Sequence, residues 1–381
     1  MLPLLPIYAD RFGASGTEIG LLVLSYSAAQ LLLAPVWGRL SDRFGRRPIL
    51  IVGLLGSAVS YLVFAYAGSI TLLLISRVMA GVGGANIPVA HAYVADITPP
   101  ERRAANMGLI GAAFGLGFIF GPAIGGILAP IGSELPGLAA AGLCGFNALL
   151  AVVFLPESLP RAMRRRVGHG SPSLHPVGVV LFGGGAAGSR FRELRTMFEN
   201  QGFMTALILS FIFTTSFSIM HPIFPLFATG RFGLGVRDVG WLFAFIGVIS
   251  AIMQGGVVRH LVARVGEVAV IRASAVPFVV GFAIIGLSTT VPILLGGLAL
   301  LAVGFGGTLP SLMSLLSRSS PEGLQGGALG VGQSVGALAR IAGPLLAGVL
   351  WDTLGTSAPY FVAAAIGAVA GLWGLKLRQP V

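Results

Sequence analysis

The sequence is poor in charged residues and in cysteine, and both shortages narrow the possible functions. Only 10% of its 381 residues are charged, whereas soluble globular proteins have about 25%. Cys144 is the single cysteine and lies in an apolar run, so a disulfide or a cysteine metal site cannot form. Catalytic patterns such as Ser-His-Asp, HExxH and CxxC are missing, and the Gly-rich segment 183–190 lacks the Lys-Ser/Thr of a phosphate loop. We therefore expect no enzyme, no metal site and no cofactor.

Apolar residues dominate the composition instead. Hydrophobic residues make up 55% of the chain and its mean hydropathy is +0.91, which indicates that lipid surrounds most of it. The 57 glycines are about twice ordinary usage, and small residues let membrane helices pack closely. The net charge of +11 could suggest a nucleic acid, but the arginines follow the loops of a membrane topology. We expect a lipid bilayer as partner and no nucleic acid.

Apolar windows of about 20 residues, the length that crosses a bilayer, predict the membrane spans. Met1–Asp10 resembles the last half of such a span. We therefore expect a truncated first helix, from a late start site or a trimmed chain, and no signal peptide. Together with this half helix the windows make twelve spans. The other eleven lie near 17–37, 47–67, 70–94, 104–129, 136–155, 201–228, 237–258, 268–288, 291–316, 325–350 and 357–377.

The distribution of positive charge predicts the orientation of these spans. The only long polar stretch is the central segment 156–200, which is rich in arginine. If this segment is cytoplasmic, 18 of the Lys and Arg residues fall on the cytoplasmic side and only Arg11, Arg231 and Arg237 fall outside. Because positive residues accumulate in cytoplasmic loops, we expect a multi-pass protein of the plasma or inner membrane with both termini in the cytoplasm.

The two halves of the sequence repeat each other. The offset between matching residues drifts slowly, from 219 near the start to 222 further along, and this predicts a duplicated set of six helices. Two six-helix bundles are expected, residues 1–155 and 201–381, joined by the cytoplasmic segment 156–200. Since each bundle has an even number of spans, a pseudo-two-fold axis along the membrane normal relates them. Matching residues include Pro3 and Pro6 with Pro222 and Pro225, Arg43 and Gly45 with Arg264 and Gly266, and Gly121-Pro122 with Gly343-Pro344.

A short polar loop between the second and third spans concentrates charge. Residues 38–50 read GRLSDRFGRRPIL. Gly38 and Gly45 lack a Cβ, so neighbouring helices could approach them closely. The second-half counterpart at 259–267, RHLVARVGE, has lost the Asp and the first Gly.

The acidic and basic groups of this loop could form a latch. Asp42 could meet the positive N-terminal end of another helix, and Arg46 and Arg47 could pair with Asp96 at the end of the fourth span. Such contacts can form in one conformation and break in another. The alternative is that the arginines only set the topology.

Three motifs in order resemble those of the major facilitator superfamily of transporters. The loop at 38–50 resembles the signature GxLaDrxGrr, and residues 77–83 resemble RxxxGxG. The fifth span is similar to the G-x8-G-x3-GP-x2-GG signature of the drug:proton antiporters of this superfamily. The antiporter motif comprises Gly108, Gly117, Gly121, Pro122, Gly125 and Gly126.

This resemblance implies an all-α membrane protein with the major facilitator fold, of the twelve-helix type that includes tetracycline-efflux proteins. It implies secondary active export of small, drug-like amphipathic molecules by alternating access, with protons as the coupling ion. Arg77 would take part in proton coupling, with His91 as a second candidate. A snorkelling Arg77 and a packing His91 are the structural alternatives. The conformational latch would comprise Gly38, Asp42, Arg43, Gly45, Arg46, Arg47 and Asp96.

Polar side chains within the spans are candidates for the substrate cavity. Each of them could instead serve a helix–helix hydrogen bond. All thirteen acidic residues lie in loops or near helix ends, so Arg77 and Arg340 would make the outer half of the cavity positive. This favours an anionic or neutral amphipathic substrate. The cavity candidates are Gln30, Asn86, Asn147, Gln254, Gln333 and Arg340.

Two other functions stay open at this point. The chain could transport a specific metabolite, such as a sugar or an organic anion, by uniport or symport. It could also be a membrane sensor or an inert fragment that transports nothing. In every case we expect a monomer.

Overall fold

A computed structural model describes residues 4–99, 103–159, 198–320 and 325–377. Within these ranges every regular element is helical, in agreement with the expected all-α fold. The first half contains α1 (Leu4–Asp10), α2 (Gly16–Phe44), α3 (Arg46–Ala65), α4 (Ile70–Gly84), α5 (Ile87–Ile97), α6 (Arg103–Leu128) and α7 (Leu135–Phe154). The second half contains α8 (Gln201–Phe232), α9 (Val236–Ile252), a π-helical turn (Met253–Val257), α10 (Val258–Val265), α11 (Glu267–Leu287), α12 (Val291–Arg318), α13 (Gln325–Leu354) and α14 (Ala358–Gly374).

The helices follow the predicted spans, with two interruptions. Among the described residues, nine helical stretches are long and apolar enough to cross a bilayer. One of them, Ile70–Ile97, is broken between α4 and α5, where the sequence predicts one unbroken helix. Another, Val236–Val265, contains the π-helical turn between α9 and α10. Interruptions of a helix at membrane depth often accompany function, because they free backbone groups and redirect side chains.

The described residues divide into two compact units. The first unit holds residues 25–99, 103–117 and 128–159. The second holds 198–320 and 325–377, together with residues 4–24 and 118–127 from the first half of the sequence. The start of α2 and the end of α6 therefore belong to the second unit, whereas the sequence repeat assigns them to the first bundle.

Glycine sets the helix spacing in the first unit. A methyl group on Gly137 of α7 would lie 2.7 Å from the Cβ of Ala65 in α3. A methyl group on Gly83 of α4 would lie 2.9 Å from the carbonyl oxygen of Gly53 in α3. Both distances are shorter than van der Waals contact, so these helices can touch only where a side chain is missing.

Aromatic side chains fill the second unit. Phe278 of α11 meets Phe213 of α8 edge-on, with ring centroids 5.2 Å apart, and Phe282 at 5.1 Å. All three rings are fully buried. Glycine again allows the backbones to meet, since a methyl group on Gly281 would lie 2.5 Å from the amide nitrogen of Leu301 in α12.

Some sequence-based expectations lie outside the described residues. They include the arginines of 161–195 and the Gly-rich segment 183–190. The side-chain surroundings of Gly108 also lie outside the part of the chain that the structure describes.

Candidate functional site

Arg46 is the centre of a polar network at the start of α3. Its Nη1 donates to the Ser41 hydroxyl at 2.6 Å and pairs with an Asp42 carboxylate oxygen at 2.5 Å. Its Nε donates to Asp96 at the end of α5, at 3.2 Å, and its backbone N–H donates to Glu157 at 2.8 Å. The Arg46 side chain, which is 12% exposed, therefore joins the ends of α2 and α5, and the Arg46 backbone adds the segment after α7.

The other latch candidates are placed differently from the expectation. Arg47 contacts the carbonyl oxygen of Val152 at 2.5 Å and does not share Asp96. Asp42 pairs with Arg46, four residues later, so its carboxylate contacts an arginine of the same loop. Gly38 has no described atom within 4 Å of the position of a Cβ, so close helix approach does not explain that glycine. Arg43 lies over the ring of Phe44 and is exposed.

Gly45 and Gly266 form equivalent corners in the two halves. Gly45 has φ 107° and ψ 157° before α3, and Gly266 has φ 81° and ψ 164° before α11. A residue with a Cβ is strained at such φ values, which explains why glycine ends each turn. The corners confirm that the 221-residue offset in the sequence reflects a repeated local structure.

An ion pair next to Gly266 was missed in the sequence. The Glu267 carboxylate is 4% exposed and accepts from Arg318 at 2.9 Å and from the Ser314 hydroxyl at 3.0 Å. By the repeat offset, Glu267 stands where Arg46 stands in the first half, and Arg318 falls one residue from the position equivalent to Asp96. The same contact is therefore made twice with the signs of the charges exchanged. A search for charged residues of either sign at matching positions of the two halves could have found this ion pair.

The break in the fourth span has a local cause. Pro88 has no N–H, so the carbonyl oxygen of Gly84, four residues earlier, loses its helical donor. Gln30 of α2 replaces that donor: its Nε2 donates to the Gly84 oxygen at 3.0 Å. Asn86 begins α5, and its side chain lies against Gly53 of α3. The structure thus brings two cavity candidates, Gln30 and Asn86, to one helix break.

A second side chain supports the same break. The indole Nε1 of Trp37 donates to the carbonyl oxygen of Val82 at 2.7 Å. Backbone groups at membrane depth need such partners, because lipid offers no hydrogen bonds. Side chains of α2 therefore donate to two carbonyl oxygens at the break, of which the Val82 oxygen also accepts from the Ala85 N–H at 3.3 Å.

Arg77 lies inside the first unit and not at a helix end. Its side chain is 4% exposed, and its guanidinium carbon lies 4.8 Å from the ring centroid of Phe64 and 5.7 Å from that of Tyr61. Aromatic faces attract a cation, most strongly where water is excluded. Its Nε reaches the Ser76 hydroxyl at 3.4 Å, whereas Nη2 has no hydrogen-bond partner within the described residues. The snorkelling alternative does not fit this placement.

The remaining candidates are more open. His91 in α5 is partly exposed, whereas Asn147, Gln254, Gln333 and Arg340 are exposed. Gln254 lies in the π-helical turn. In the same turn, the side chain of Met253 packs against Gly306 of α12.

A histidine that the sequence analysis did not select lies near Arg340. The ring of His221 in α8 meets Phe217 edge-on at 5.1 Å and lies 6.4 Å from Phe243 of α9. Phe217 is stacked on Phe305 of α12 at 3.7 Å. His221 and Arg340 also interact electrostatically. The second unit therefore carries a cationic and aromatic cluster at mid-helix positions.

Within the described residues, the close contacts of the antiporter motif lie at its C-terminal end. A methyl group on Gly126 would lie 3.1 Å from the Cα of Gly240 in α9, and one on Gly125 would lie 3.2 Å from the side chain of Leu4. Gly117 and Gly121 face open space in the part of the chain that the structure describes. The helix continues through Pro122, which lies inside α6.

Comparison with known proteins identifies the family of this chain. The profile of the Major Facilitator Superfamily matches residues 1–344 and 207–381. The chain is 33% identical over 355 residues to tetracycline resistance protein, class C, of Escherichia coli, covering 91% of this chain and 84% of that protein. It is 28% identical over 369 residues to multidrug resistance protein 2 of Bacillus subtilis (strain 168), covering 92% and 84%.

A solved structure agrees over nearly the whole length. The crystal structure of the human organic anion transporter MFSD10 (TETRAN) superposes with a TM-score of 0.68 at 27% identity, covering 98% of this chain and 94% of that one. The resemblance predicted from three sequence motifs is thereby confirmed. The chain belongs to the Major Facilitator Superfamily, has its all-α membrane fold, and is a membrane transporter and not an enzyme.

Proposed function

We propose that the protein exports small, drug-like amphipathic molecules by alternating access in exchange for protons. The observation that carries this proposal is the antiporter motif of α6, whose last glycine meets the backbone of α9 through Gly240. We expect an exporter to place such a motif where two helices cross in close contact, as α6 and α9 do here. The tetracycline and multidrug resistance proteins among its relatives support the same direction of transport.

The proposal includes an orientation and a latch. Both termini and the segment 156–200 face the cytoplasm of the cell that carries the protein in its plasma or inner membrane, because positive residues accumulate there. The Arg46 network then lies at the cytoplasmic surface. Its partners come from three chain segments, and the Ser158 hydroxyl also donates to Asp96 at 3.0 Å. We assign the network the role of the latch that is made and broken during the cycle.

Proton coupling is assigned to the fourth span. Arg77 is a cation enclosed by two aromatic rings, and one of its nitrogen atoms has no hydrogen-bond partner within the described residues. A buried cation of this kind changes its energy strongly when a neighbouring group gains or loses a proton. His91, in α5 beyond the helix break, is the second candidate for carrying the proton.

The test uses purified protein in liposomes with an imposed pH gradient. Tetracycline and ethidium serve as the transported probes, and nigericin, which collapses the gradient, serves as the control. We expect uptake of at least one probe that depends on the gradient and stops with nigericin. Uptake at the same rate with and without the gradient would contradict proton exchange.

A second candidate function is transport of organic anions. The cationic and aromatic cluster around His221 and Arg340 favours it, and so does the placement of all acidic residues in loops or near helix ends. The similarity to a human organic anion transporter supports the same substrate class.

Binding distinguishes the two candidates without transport. Ethidium and carboxyfluorescein are fluorescent probes of opposite charge, and their binding to protein in detergent can be followed by fluorescence anisotropy. Tight binding of carboxyfluorescein that is lost in Arg340→Gln supports the organic anion function. Tight binding of ethidium alone supports the first candidate and excludes the second.

A further inference from the structure

The start of α2 and the end of α13 are joined by one carboxylate. Asp352 accepts hydrogen bonds from the backbone N–H groups of Gly16 and Thr17, each at 2.8 Å, and from the Thr17 hydroxyl at 2.6 Å. The first N–H groups of a helix have no partner within the helix and carry partial positive charge. A carboxylate from another helix is therefore well suited to bind them.

This contact is not needed to form α2. The helix has its own capping box, in which the Glu18 carboxylate accepts from the Ser15 N–H at 2.8 Å and the Ser15 hydroxyl accepts from the Glu18 N–H at 3.2 Å. A reciprocal pair of this kind satisfies the start of a helix locally. The capping box leaves the N–H groups of Gly16 and Thr17 without an acceptor, and Asp352 accepts hydrogen bonds from these two. It can leave without unwinding α2, because its contacts with Thr17 are exposed and water can replace it there.

The two helices touch backbone to backbone next to the carboxylate. A methyl group on Gly348 of α13 would collide with the carbonyl oxygen of Gly16 and lie 2.7 Å from the Cα of Thr17. One turn further along α2, a methyl group on Gly20 would collide with the carbonyl oxygen of Pro344. This glycine crossing is smooth and apolar, so it offers little resistance to separation apart from dispersion.

A second glycine crossing lies within the same unit. A methyl group on Gly240 of α9 would lie 2.7 Å from the carbonyl oxygen of Pro122 and 2.8 Å from the Cα of Gly126 in α6. In the orientation proposed above, both crossings lie on the outer side of the membrane. Helix ends from the first half of the sequence, α2 and α6, thus close against helices of the second half at this side.

We propose that Asp352 is the outer latch of the transporter, the counterpart of the Arg46 network on the cytoplasmic side. The inference rests on the proposed alternating access. In the second unit the outer ends of α2 and α13 are in contact, and the carboxylate adds a directional, releasable bond to two smooth glycine crossings. Opening to the outside breaks the three hydrogen bonds to Asp352 and leaves the capping box of Ser15 and Glu18 intact.

Hydrogen–deuterium exchange of the protein in lipid nanodiscs tests this latch without any substrate. Asp352→Asn keeps the size of the side chain but removes its charge and one acceptor, and Asp352→Ala removes the group. We expect amide exchange in 16–24 and in 341–354 to rise together, by about 5- to 30-fold in Asp352→Ala, the factor expected for loss of a helix cap. Asp352→Asn should give a smaller rise in the same two segments.

Two matched variants serve as controls. Glu18→Ala breaks the capping box inside α2, because it removes the acceptor of the Ser15 N–H, and its effect should remain in the first turn of that helix. Asp238→Asn removes another carboxylate on the same side, which caps only its own helix through the Gly235 N–H at 3.0 Å. We expect exchange in 341–354 to be unchanged in both controls.

The outcomes separate the latch from the transport function. A rise confined to 16–24 in Asp352→Ala would show a simple helix cap and overturn the latch, as would no rise at all. A joint rise in a protein that transports none of the probes above supports the latch and removes the proposed function. Gradient-driven transport without a joint rise keeps the function and removes the latch.

Discussion

The break in the fourth span predicts a measurable coupling between Gln30 and Pro88. Gln30→Met keeps the length of the side chain and removes the donor that the Gly84 carbonyl oxygen receives at 3.0 Å. A hydrogen bond between membrane helices contributes about 0.6 to 1.7 kcal/mol, and a buried carbonyl left without a partner costs about 1–3 kcal/mol. We therefore expect the free energy of unfolding to fall by about 1–2 kcal/mol.

The same substitution should cost less when the proline is also replaced. Pro88→Ala supplies a backbone N–H that can donate to the Gly84 oxygen, as in an uninterrupted helix. In that background Gln30→Met should lower the unfolding free energy by less than about 0.5 kcal/mol, which leaves a coupling of about 1 kcal/mol. Gln333→Met removes an exposed amide in the second half and serves as the control with little effect.

Reversible unfolding in mixed micelles, followed by circular dichroism, measures all four proteins of this cycle. Equal losses with and without Pro88 would refute the reasoning, because the amide would then act independently of the missing backbone donor. A loss in Gln333→Met as large as in Gln30→Met would also refute it.

Three further predictions concern other contacts. Gly126→Leu should abolish transport, because even a methyl group at this position would lie 3.1 Å from the backbone of α9. Gly117→Leu places its side chain in open space and should retain transport. Uptake into vesicles measures both variants. Glu267→Arg should lower the free energy of unfolding by about 1–3 kcal/mol, because Arg318 is 57% exposed and solvent screens its charge. Adding Arg318→Glu should restore most of this loss in the same unfolding assay, since the first half uses the opposite polarity. Arg77→Lys should fold yet lose gradient-driven uptake, because a point charge cannot face two rings as the planar guanidinium does. Uptake equal to that of the wild type would count against a role of the guanidinium.

The spans and one latch contact could be predicted from the sequence because each depends on local information. Apolar length predicts a span, and a charged loop between two spans leaves few partners within reach. Arg46 and Asp96 illustrate this: both lie at helix ends on the same side, and they meet at 3.2 Å. The expectation that Arg47 would share Asp96 was wrong, because a carbonyl oxygen of α7 is nearer to it.

The helix break and its supporting side chains could not be predicted in the same way. Pro88 signals an interruption, but a proline inside a membrane span can also be absorbed as a kink. The deciding contact comes from Gln30, 54 residues away, and such a partner is fixed only when two helices pack. The exchanged charges at Glu267 were missed for a different reason, since a search for identical residues overlooks a pair that keeps its geometry and reverses its sign.

The π-helical turn at Met253–Val257 has a consequence for motion in the eighth span. A turn of this kind holds one residue more than an α-turn, and each residue of an α-helix accounts for about 100° of rotation and about 1.5 Å of rise. If the extra residue is absorbed into the regular helix, Val258–Val265 must swivel about its own axis by roughly that angle relative to Val236–Ile252. The π-helical turn would then act as a point of rotation within the eighth span. It contains Gly255 and Gly256, and no atom of the described residues lies within 4 Å of the position of a Cβ on either glycine.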